Sequence, residues 1–116
     1  MAVWSVKIVA GANPGDPATF VAQNQPSAPV GTIYADPGDI ISWDNTTPDD
    51  HQPVQTSVLA TVSLPLGSLV WDPVAPGHQT PGWAVAGSPG TSIAYTCLLH
   101  ANESATVVVT PVSPAT

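Results

Sequence analysis

Residues 89–100 read PGTSIAYTCLLH, and the order of residue types in this stretch decides how the rest of the chain is read. Pro89-Gly90 is a turn pair. After it Ile93, Tyr95 and Cys97 alternate with Ser92, Ala94 and Thr96, the period of two expected of a strand with one buried face. The strand ends at Cys97, and His100 follows three positions on, close enough for a turn to aim a thiol and an imidazole at one point. The next segment, SATVVVT (104–110), alternates again, with Ala105, Val107 and Val109 opposed to Thr106, Val108 and Thr110. Between the two strands lies Glu103, the only glutamate of the chain.

Working outward, VWSVKIVAG (3–11) sets Trp4, Val6 and Ile8 against Ser5 and Lys7, which predicts another half-buried strand, and NPGDP then turns the chain. Short strands are expected over 18–23 and 29–35. DPGDIISW (36–43) reads as a turn feeding a strand that ends at Trp43. VQTSVLATVSL (54–64) has the β-branched content of one or two strands. From 65 to 90 Pro and Gly are too dense for a regular helix of any length. Seven to nine short strands broken by frequent turns predict an all-β, Greek-key two-sheet β-sandwich, formed by residues 1–110 and followed by a Pro- and Ser-containing tail at 111–116. The composition agrees, since fourteen Pro and nine Gly punctuate a chain of which only 8% is charged.

Charge excludes some partners. Lys7 is the only basic residue, the net charge is −7, and a surface of that sign repels nucleic-acid phosphates and anionic lipids. No apolar run approaches the roughly 18 residues of a membrane span. Met1-Ala2-Val3-Trp4 lacks the basic start and apolar core of an export signal, which fits either a cytoplasmic chain or a mature domain. A single cysteine forms no internal disulfide, so Cys97 is a buried thiol, a reactive thiol or a metal ligand. With His51 and His100 it would make a soft and borderline donor set. Copper prefers such a trigonal His₂Cys arrangement with a weak axial donor, and zinc accepts the same ligands. Spacing alone does not bring His51 to the other two.

GDIISWDNTTPDDH (38–51), PGTSIAYTCLLH and the closing SATVVVT together resemble the cupredoxins, the small blue copper proteins, over about a third of the chain. The resemblance implies a plastocyanin- or amicyanin-like domain holding one copper ion through His51, Cys97 and His100, and transferring single electrons rather than acting as an enzyme. It further implies a redox partner protein, basic to complement this chain, docking near His100 with Leu98, Leu99 and Ala101 either as an apolar patch or as loop packing. A periplasmic or extracellular location and a monomer or small homo-oligomer follow from the same resemblance.

The departure from the pattern is the axial position. Where the family's short loop has methionine, this chain has Glu103, read here as a fourth ligand that lowers the potential and gives a red or green site. The alternatives are a solvated Glu103 with an empty axial place, or one filled by water or a carbonyl. An open site would favour chemistry on a small molecule such as nitric oxide or superoxide; copper storage or delivery and a metal-free adhesion domain are further alternatives. His78 reads as an exposed loop histidine, and Asp49 and Asp50 as a solvated turn. Gln52, where the family often has an asparagine tying the ligand loops together, puts that tie in question. Asn45 and Asn102 sit in glycosylation-type triplets beside the site. Trp43, Trp71 and Trp83 are expected in the core or at its rim.

Overall fold

A computed structural model describes residues 2–13, 16–56, 69, 71–86, 88–100 and 102–110. They form eight strands: β1 (Val3–Val9), β2 (Thr19–Ala22), β3 (Thr32–Ala35), β4 (Ile40–Asn45), β5 (Pro53–Gln55), β6 (Trp83–Ala84), β7 (Ser92–Cys97) and β8 (Ser104–Val109). One sheet has the order β2-β1-β4-β6 and the other β3-β8-β7-β5. Each mixes orientations, because β1 runs parallel to β4 and β3 parallel to β8 while the remaining pairs are antiparallel.

The alternation seen in the sequence becomes burial. Val6 and Ile8 of β1, Phe20 of β2 and Ile41 and Trp43 of β4 face Ile33, Ile93, Tyr95, Val107 and Val109 of the other sheet. Tyr95 lies edge-on to Phe20, with centroids 5.1 Å apart, and edge-on to Trp43 at 5.4 Å. Aromatic quadrupoles favour this arrangement over face-to-face stacking. Trp43 has no exposed surface, and truncating such a side chain leaves a cavity that costs about 3–5 kcal/mol. Trp43→Ala is therefore expected to lower the urea midpoint of the metal-free protein sharply, at nearly unchanged slope.

Where boundaries differ from expectation, main-chain geometry is the reason. β4 continues past Trp43 to Asn45, which pairs with Ile8 of β1. β3 begins only at Thr32, because the Thr32 N–H closes a turn onto the Pro29 carbonyl and Gly31 takes a left-handed φ of 85°. Of 54–64, Val54 and Gln55 fall in β5, and 57–64 lie outside the described residues, as does the 111–116 tail. The Pro/Gly-dense stretch contributes β6 and two isolated bridges, Asp44 with Gln79 and His51 with Val74. No helix among the described residues is long and apolar enough to cross a membrane.

The ends of β1, β4 and β7 and the starts of β2, β5 and β8 meet at one end of the sandwich. At the other end Asp39 is buried but well satisfied, accepting from Ala2 N, Trp4 Nε1 and Asp36 N. Burial works against its charge, yet these hydrogen bonds hold its carboxyl below the usual range.

Candidate metal centre

His51 is positioned by the loop that follows β4. Asn45 is fully buried, and its Nδ2 donates to the carbonyls of Asp49 (2.7 Å) and Val74 (2.8 Å) while its Oδ1 accepts from Thr47 N at 2.9 Å. These bonds fold residues 45–51 back on themselves. The His51 main chain then pairs with Val74 in both directions, at 3.2 and 2.7 Å, so that a buried imidazole is braced from behind. Asp49 and Asp50 are exposed, and Asp49 serves through its carbonyl.

Cys97 closes β7. Its N–H donates to the Glu103 carbonyl at 2.8 Å, which the Thr96 hydroxyl also reaches at 2.9 Å, extending the β7–β8 ladder. The Gln52 N–H donates to Cys97 Sγ at 3.4 Å, and the Gln52 carbonyl accepts from Leu98 N at 2.9 Å. The tie between the two loops is thus made by the main chain of residue 52. The Gln52 side chain turns instead to the Trp71 carbonyl, 2.9 Å away.

His100 sits in the turn after β7 with its side chain 37% exposed. Its Nδ1 is 3.4 Å from Cys97 Sγ, and its ring centroid is 4.7 Å from that of His51. Asn102 adopts a left-handed φ of 66°, tolerated by asparagine, and the chain re-enters the ladder at Glu103. Glu103 is 4% exposed. Its Oε1 lies 2.9 Å from His51 Nδ1 and 3.5 Å from His100 Nδ1, and its Oε2 accepts from Ala18 N at 2.7 Å. Glu103 is thus buried and hydrogen-bonded in this structure.

One donor atom from each of His51, Cys97, His100 and Glu103 lies within 4.8 Å of the others, the one such group among the described residues. Metal–donor bonds of about 2.0–2.3 Å place two ligands of one ion about 3–4 Å apart. Most separations here fit that span: 3.7 Å from Sγ to His51 Nδ1, 3.4 Å to His100 Nδ1, and 2.9 and 3.5 Å from Oε1 to the two rings. His78 stands apart on an exposed loop, bonded through its carbonyl to Asn45 N. The contact with Ala18 had no counterpart in the sequence reading, since a main-chain donor leaves no mark on residue type.

Burial pushes the Cys97 thiol up, the Glu103 charge adds to the effect, and N–H groups of Gln52, Leu99 and His100 oppose it. Burial likewise raises the Tyr95 hydroxyl. Both groups stay neutral in the fold where an unfolded chain would ionise them, so above pH 9.0 for the thiol and 10.0 for the phenol the unfolded state holds fewer protons. Stability of the metal-free protein is expected to fall as pH rises through those values. A urea midpoint followed from about pH 8 to about pH 11 checks this, with a shallower decline in Cys97→Ala.

A cleft of about 740 Å³ opens onto His51, His100 and Glu103 between the β1–β2 loop and Thr47–Asp49. No protein-family profile matches the sequence, and a comparison with curated proteins finds no match. Comparison of structures does. A novel purple cupredoxin from Nitrosopumilus maritimus superposes with a TM-score of 0.63, at 15% identity, over 91% of this chain and 98% of that one. The chain has the cupredoxin fold. A mutant of amicyanin in its reduced Cu(I) form gives 0.57 at 16% identity over 93% and 81% of the two chains. A blue copper oxidase from Nitrosomonas europaea gives 0.51 at 19%, over 98% of this chain but 40% of that one. At such identities the cupredoxin likeness speaks for the fold, and the case for the site rests on its donor atoms.

Proposed function

We propose that this cupredoxin-fold protein holds one copper ion through His51, Cys97 and His100, with Glu103 as axial ligand, and carries single electrons. The observation that carries the reading is the convergence of these four donors, with His51, Cys97 and Glu103 all buried. Copper bound there would supply a one-electron couple. The protein's share is to hold the donors still: His51 is braced by Val74, Cys97 by the Gln52 N–H and the Glu103 carbonyl, and Glu103 by Ala18. A donor set that keeps its geometry in both oxidation states reorganises little.

Half-exposed His100 is the route for electrons. Leu98 and Leu99, 50% and 47% exposed, are not packed in the core and flank it as a docking patch. A chain of charge −7 favours a basic redox partner. An exported, periplasmic or extracellular setting and the absence of enzymatic turnover complete the reading.

Adding Cu(II) to the metal-free protein should produce one equivalent of an intense thiolate-to-copper band. A flat spectrum would overturn the reading, and zinc, which fills similar sites, gives no such band. The cleft over the centre supports a second reading, chemistry on a small molecule. Azide decides between them: a perturbed spectrum favours the second, whereas fast self-exchange without perturbation favours the carrier.

A further inference from the structure

We propose that the β1–β2 loop is part of the metal centre, the Ala18 peptide N–H being the group that restricts Glu103 to a single donor oxygen. The inference rests on Glu103 being a copper ligand and adds a positioning element to it. A carboxylate has two equivalent oxygens, and nothing in its own chemistry limits it to one. Here Oε2 is engaged by Ala18 N at 2.7 Å, the short distance of a charge-assisted bond, which leaves Oε1 alone facing the histidines. Ala18 and Glu103 are 7% and 4% exposed, so the bond is largely shielded from solvent.

The loop is shaped to present that N–H. A Cβ at Gly11 would collide with the Asp16 Cβ and crowd the Asp16 and Pro17 carbonyls at 3.1 Å, so the loop's two arms approach as only glycine allows. Asp16 accepts from Asn13 N at 3.0 Å and from Asn13 Nδ2 at 3.3 Å, and its own N–H returns to the Asn13 carbonyl at 3.1 Å. The bond also links the two sheets, since Ala18 precedes β2 and Glu103 precedes β8. Without its N–H partner the carboxylate holds more negative charge and is free to turn both oxygens to the ion. Ala18 would thus act by weakening the carboxylate as a donor to bound copper.

The test uses the copper-loaded full chain carrying Ala18→Pro, which removes the N–H, or Gly11→Ala, which displaces the loop, each in the wild-type and Glu103→Met backgrounds. In the wild-type background the reduction potential falls, and the shorter-wavelength thiolate band gains at the expense of the longer. In the Glu103→Met background neither changes, a non-additivity that a merely structural disturbance would not give. Ala18→Gly keeps the N–H and leaves the potential in place. A potential that rises, stays put, or shifts equally in both backgrounds overturns the proposal. A metal-free readout stands beside it: the Ala18 amide exchanges about tenfold or more faster in Glu103→Ala than in wild type, as expected for loss of a hydrogen bond to a charged group. Unchanged exchange refutes the contact. Absence of the thiolate band in wild type would sink copper ligation alone, leaving amide exchange to decide whether Ala18 holds the carboxylate.

Discussion

Replacing Cys97 with serine is expected to abolish the intense visible absorption of the copper-loaded protein while leaving the sandwich folded. The band requires a sulfur-to-copper charge transfer, which a hydroxyl does not supply. Serine is close to cysteine in size, and its oxygen still accepts from the Gln52 N–H, so the fold loses only about 1–2 kcal/mol for a polar group in a mostly apolar place. Copper affinity suffers more. Removing a partner in the outer shell of a metal already costs about 10–100-fold, and removal of a buried thiolate ligand should exceed that. Absorption titration with Cu(II), read against circular dichroism of the metal-free variant, separates the two effects. A Cys97→Ser protein that retained the band would show that the colour arises elsewhere.

The second large effect is on potential. Glu103→Met exchanges a buried carboxylate, 2.9 Å from His51 Nδ1, for a neutral thioether. A unit charge about 4 Å from another is worth about 4 kcal/mol at an effective dielectric of about 20. For one electron that corresponds to an upward shift on the order of 100–200 mV, reduced where other groups rearrange. The negative charge stabilises the more highly charged oxidised ion, so its removal favours the reduced form. With copper bound, the colour should move from red or green towards blue, because a thioether would be a weaker donor than the carboxylate beside His51, Cys97 and His100. Voltammetry and absorption of the same samples test both statements, and an unchanged potential would remove Glu103 from the coordination sphere.

These expectations draw on a sequence that was legible in some places and silent in others. Ile93, Tyr95 and Cys97, and likewise Ala105, Val107 and Val109, announce their strands because a sheet with one buried face imposes a period of two on residue type. Cys97 and His100 announce a donor pair because a turn of three residues constrains where both point. The loop that braces His51 announces nothing, because its pairing with Val74 is main chain to main chain and most residue types can make it. Glu103 lies between these cases. It is the only glutamate of the chain, but its carboxylate is held by a peptide N–H 85 positions away, a contact that any residue except proline can make at position 18. Asn45 is similar: its side chain joins two carbonyls from different loops, a role visible only once those loops are in place.

The hydrogen bond from Cys97 N to the Glu103 carbonyl has a consequence for engineering. It joins the end of β7 to the start of β8, so thiol and carboxylate keep their mutual register whatever side chains stand at 98 and 99. Apart from His100, the spacing from Cys97 to Glu103 then matters more to the site than the residues that fill it. Exchanging Leu98 or Leu99 alters only what the turn shows to a visitor, whereas inserting a single residue would slide the carboxylate out of step with the thiol and create a different metal site.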